Sequence, residues 1–88
     1  MKYFKLTFTE INGEQEYTYN YLLKAKDEQE ADCAAQKFLS GWYDDDEAEV
    51  TWPDNVEFFC GCIIVNDISI EETTVEQFTQ DLIQRYTV

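Results

Sequence analysis

Histidine is absent from this chain. Its absence removes the side chain that most often serves as a general base near neutral pH, and the imidazole that most often binds metal. Basic residues are scarce too: six lysines and arginines stand against nineteen aspartates and glutamates, a formal net charge of −13. Such a surface is repelled by nucleic-acid backbones and by anionic lipid, so neither direct nucleic-acid binding nor membrane attachment is expected. Three cysteines, an odd number, make no disulfide framework, and a reduced, cytoplasmic setting is the expectation. No apolar run reaches the length of a membrane span. Met1-Lys2-Tyr3-Phe4-Lys5 leads into an alternating pattern instead of the continuous apolar stretch of a secretory signal.

What is present reads as globular. Hydrophobic residues make up 44% of the 88 and aromatics 16%, with only three glycines and one proline, which predicts one domain over residues 1–88. The acid is unevenly placed. Residues 1–26 carry four lysines against three glutamates, a net of +1. Residues 27–49 carry nine carboxylates against Lys37, a net of −8, and residues 50–88 carry seven against Arg85, a net of −6. A charge this large favours solubility and a monomer, and its clustering gives the long-range field a direction.

Alternation of Phe4, Leu6 and Phe8 with Lys5, Thr7 and Thr9 predicts a half-buried strand. Asn12-Gly13 is a strong hairpin signal. Set at the two central turn positions, it predicts Phe8 opposite Tyr17, Leu6 opposite Tyr19 and Phe4 opposite Tyr21. Asp27, with Glu30 three residues on, predicts a helix start, and Ala31, Ala34, Ala35, Phe38 and Trp42 form its apolar stripe. Gly41 marks its end. Two or three strands are expected across Val50–Trp52, Val56–Cys60 and Cys62–Ile70, with a turn at Pro53-Asp54-Asn55 and a bulge at Gly61 flanked by buried Cys60 and Cys62. A last helix begins at Thr73 or Thr74 and places Val75, Phe78, Leu82 and Tyr86 on one face. The expected fold is α+β, ordered β-β-α-β-β-α. It has an antiparallel sheet of three to four strands and two helices packed on one face.

Chemistry finds little footing. Cys33 sits among Glu30, Asp32 and Gln36, where negative charge opposes thiolate formation. Cys60 and Cys62 would be two soft ligands on a strand, short of the four that a structural zinc site needs. Asp44, Asp46 and Glu49 offer oxygen ligands without the spacing or central glycine of a calcium loop, so weak millimolar binding at most is expected. No glycine-rich phosphate loop occurs. No enzyme, metal site or cofactor is expected.

The acidic surface is the remaining feature. Acids in the first turns of both helices favour the helix dipole and need no further role. Asp44, Asp45, Asp46, Glu47 and Glu49 lie at the far end of the first helix, where negative charge opposes the dipole. Asp27 to Asp32 holds four carboxylates within about 9 Å of helix axis, a density comparable to the one charge per ~1.7 Å of duplex DNA. In size, acidity and lack of catalytic groups the chain resembles small phage- or plasmid-encoded inhibitors that mimic DNA, such as anti-restriction and anti-CRISPR proteins. No family motif carries that resemblance, and no residue role is transferred from it. It implies a non-enzymatic protein that blocks a basic DNA- or RNA-handling partner. The expected contact is Asp44, Asp45, Asp46, Glu47 and Glu49, extended by Glu28 and Asp32, with Tyr43 as an exposed aromatic anchor. A second expectation is an interaction module binding through a sheet edge or apolar face, at Val56–Phe59 or the first hairpin tip, with the acid serving solubility.

Overall fold

The computed structural model describes residues 1–86, with side chains as far as Leu82. β1 (Lys2–Asn12) and β2 (Gln15–Ala25) form the expected hairpin in a register two residues from the expected one. Gly13 and Glu14, not Asn12 and Gly13, occupy the central turn positions, so Phe8 faces Tyr19, Leu6 faces Tyr21 and Phe4 faces Leu23. Gly13 has φ +66° and Glu14 is not among the positive-φ residues, which suits a turn whose glycine comes first. A shift of two leaves every side chain on its expected face. Phe4, Leu6 and Phe8 are fully buried. On the other face Thr7 donates to Asn20 at 2.8 Å.

α1 (Glu28–Ser40) begins as expected, with Asp27 Oδ1 accepting the Glu30 N–H at 2.9 Å. Glu30 reaches back to the Lys26 N–H, one residue earlier than in a standard capping box. Its buried residues are Ala31, Ala35 and Leu39. The expected stripe was rotated from this: Ala34 and Phe38 are exposed, and Leu39 fills the core in place of Phe38. The two alanines let the helix lie close to the sheet.

Three strands follow, the upper of the expected two or three: β3 (Glu49–Thr51), β4 (Asn55–Phe58) and β5 (Ile63–Thr73). The turn before β4 is Trp52-Pro53-Asp54, and Asn55 already belongs to the strand. Between β4 and β5 lies a hairpin loop, Phe59-Cys60-Gly61-Cys62, where a bulged strand was expected. Cys60 and Cys62 are therefore exposed, a correction to their expected burial. β5 carries its own bulge opposite Phe8, at which Asp67 takes φ +51°, a region that aspartate tolerates better than most residues. α2 (Val75–Tyr86) starts after Thr74, whose Oγ1 accepts the Gln77 N–H at 3.1 Å. Of its expected stripe, the side chain of Tyr86 lies outside the described residues.

All five strands join one antiparallel sheet in the order β2-β1-β5-β4-β3. The α+β class holds, with five strands in place of three to four. α1 packs on one face, against β2 and β5, and its Ala35 and Leu39 share a core with Leu6, Phe8, Val56, Phe58, Ile63 and Val65. α2 lies against the opposite face, where Phe78, Asp81 and Leu82 meet Lys5, Thr7 and Asn20, and Asp81 accepts from Lys5 at 3.4 Å. The two helices thus do not share a face. α1 already spans the apolar side, and the second helix covers part of the polar one. No helix among the described residues is long and apolar enough to cross a membrane.

Candidate partner-binding surface

The most buried acid is not one of the expected site residues. Glu10 continues the inward alternation of Phe4, Leu6 and Phe8 and is 3% exposed. Its Oε1 accepts from Trp42 Nε1 at 2.7 Å and from Tyr43 OH at 2.6 Å. Both donors come from the segment that leaves α1, so this one oxygen anchors the start of the acidic loop to the sheet. The hydrogen bond to Glu10 is the main reason the Tyr43 hydroxyl is pushed up to about 12, with burial adding to it. Tyr19 is also raised, by burial first and then by the Glu10 charge. The signal was available in the sequence: position 10 shares the parity of Phe4, Leu6 and Phe8, and buried Trp and Tyr need polar partners.

Tyr43 is consequently no free anchor. Expected as an exposed contact, it is half-buried, with its ring 5.3 Å from Phe58 and 5.9 Å from Phe59. Asp45 is likewise committed to structure. Its Oδ2 accepts the Phe59 N–H at 2.7 Å and its Oδ1 the Glu47 N–H at 3.1 Å. The first of these bonds braces a loop in which Phe59, Cys60 and Gly61 all have positive φ, at +53°, +59° and +88°. Left-handed backbone is costly for a bulky residue such as Phe59, so the segment needs such a brace. Asp32 is half-buried and accepts from Trp52 Nε1 at 3.0 Å. Asp44, Asp46, Glu47, Glu49 and Glu28 are exposed.

Four of these acids fall into two groups, and Asp44 and Asp46 belong to neither. Glu47 and Glu49 join Glu57, Cys60 and Gly61 around a depression of about 370 Å³ at the β3 edge. Glu57 was not anticipated. It stands directly opposite Glu49 in the β3–β4 ladder, a like-charge pair that costs stability. Glu28 and Asp32 line a second, open depression beside Gln29 and Ile70. Among the described residues, no group of three or more cysteines and carboxylates is arranged to hold a metal ion.

Compensating cations are elsewhere. The ion pairs among the described residues are Lys2–Glu72, Lys5–Glu71 and Lys5–Asp81, all between β1 and the β5–α2 part of the chain. No carboxylate from Asp27 to Glu57 takes part in one. Comparison with known proteins returns no match: no protein-family model, no curated protein and no solved structure.

Proposed function

We propose that this is a non-enzymatic acidic protein that binds and blocks a basic, nucleic-acid-handling protein in the cytoplasm by presenting carboxylates in place of phosphates, as anti-restriction and anti-CRISPR inhibitors do. The supporting observation is that none of the ion pairs among the described residues involves the acid between Asp27 and Glu57, which includes the Glu49–Glu57 pair. A surface serving stability alone would set lysine or arginine opposite such charges. The free contacts are Asp44, Asp46, Glu47, Glu49 and Glu28, with Glu57 added. Asp32, Asp45 and Tyr43 hold the surface in shape. Counterion release then favours the complex, as it does for DNA. The test is capture of a partner from extract at low and high salt, with duplex DNA as competitor. Displacement by DNA is the expected result, and capture indifferent to DNA and salt overturns the reading.

The second reading, an adaptor working through its sheet, draws on a different observation. Of Val56–Phe59, Val56 and Phe58 are buried in an interior strand and Phe59 is exposed beyond its end, whereas β2 is an edge strand of eleven residues. Binding by that route survives high salt, because apolar and backbone contacts are not screened.

A further inference from the structure

The two edges of the sheet are built differently. β3 is three residues long and begins at Glu49, close after Glu47, the short, charged edge that soluble proteins use to discourage pairing. β2 runs eleven residues without a proline or bulge against β1, and it has no further strand on its outer side. We propose that this edge pairs with a second copy of the chain. The two β2 strands run antiparallel about a two-fold axis at Asn20 and join two five-stranded sheets into one.

Backbone geometry selects which residues face outward. In a two-residue turn the Gln15 N–H bonds the Asn12 C=O, and hydrogen-bonded pairs then alternate along the hairpin. Tyr17, Tyr19, Tyr21 and Leu23 spend their backbone groups on β1. Glu16, Thr18, Asn20, Leu22 and Lys24 point theirs away from it, toward the open edge.

Charge then selects the partner and the register. Within β2 the charged residues are Glu16 and Lys24, four positions either side of Asn20. A two-fold axis at Asn20 sets Glu16 opposite Lys24 of the second copy, twice over. It also sets Glu14 opposite Lys26 just beyond. Sliding the register by two residues leaves one kind of opposite-charge pair in place of two, Glu16 with Lys26 in one direction and Glu14 with Lys24 in the other. The same axis sets Tyr19 opposite Tyr21 and Tyr17 opposite Leu23 on the α1 face, the aromatic and apolar pairs that stabilise antiparallel strands. Tyr17 is 42% exposed and Phe38, whose ring lies 5.0 Å from Tyr21, is 38% exposed, so apolar surface already flanks this edge. The body as a whole repels its own copy. Residues 1–26, at net +1, are the stretch where that repulsion is least. The pairing leaves the acidic surface at the β3 edge free and does not depend on its function.

Sedimentation equilibrium of the full chain at physiological salt tests this. The expected result is a concentration-dependent species of twice the 10.4 kDa chain mass. Glu16→Lys and Lys24→Glu each raise the dissociation constant about tenfold, through two like-charge pairs per dimer. The double reversal returns it close to the starting value. Both side chains are exposed, so the fold is retained. A readout that needs no variant is amide exchange: the Thr18, Asn20 and Leu22 N–H groups slow as protein concentration rises. A single-chain mass up to about 1 mM overturns the proposal. So does a double reversal that binds no better than either single one.

Discussion

Glu10 shows how a single carboxylate can organise a small protein. One oxygen accepts from both Trp42 and Tyr43, and these bonds fix where the chain turns after α1. Replacing Glu10 with leucine leaves two buried donors without an acceptor, so Glu10→Leu is expected to cost about 3 kcal/mol in urea unfolding. Tyr43 provides a pH test. Its folded value near 12 exceeds the ordinary 10.0, so the folded state holds this proton more tightly than the unfolded chain does. The associated stability is fully present below pH 10 and is lost as pH rises through 12. Unfolding midpoints measured across that window should fall for the native chain and fall less for Tyr43→Phe. That variant itself should lose about 1–2 kcal/mol at pH 7.

At the scale of elements, the strands and helices were legible where a period and a cap agreed. Alternation gave β1 and β2 their faces, and Asp27 with Glu30 gave α1 its start. The turn is ambiguous in sequence because Asn12-Gly13 and Gly13-Glu14 both satisfy the glycine requirement, and a two-residue shift preserves every face. Side-chain pattern alone does not separate them. Sequence pattern favours Phe38 for the core because a phenylalanine outweighs a leucine in a hydrophobic stripe. The helix instead turns the Ala31–Ala35–Leu39 line inward, since close approach to the sheet needs small residues. Cys60 and Cys62 were misplaced because a chain with φ positive at Phe59 and Cys60 breaks the strand where its composition still favours one. The site was legible in part. The exposed acids followed from the charge run, whereas Asp32, Asp45 and Tyr43 are held by partners 14 to 33 residues away in sequence. Register also supplied Glu57, which yields a further prediction. Glu57→Lys replaces repulsion from Glu49 with attraction and should raise stability by about 0.5–1 kcal/mol, read as an increase in Tm, while weakening partner capture. A lower Tm would mean that the pair is not repulsive in the fold.

For the whole molecule, charge and shape divide the labour. The molecule forms a slab of 38 × 35 × 19 Å, with described ion pairs confined to β1 and the β5–α2 segment and none of them on α1 or at the β3 edge. The long-range field of this unpaired acid draws a cationic partner toward it. The account rests on those carboxylates replacing phosphates, and the salt dependence of binding reads this directly. The variant to compare is Asp44→Asn, Asp46→Asn, Glu47→Gln and Glu49→Gln together, sparing Asp45 because it braces Phe59. Affinity for the captured partner, measured from about 50 to 200 mM salt, should fall steeply for the native chain. For the variant the log–log slope should be shallower by on the order of one to three. Equal slopes and equal affinities for the two proteins would contradict the account.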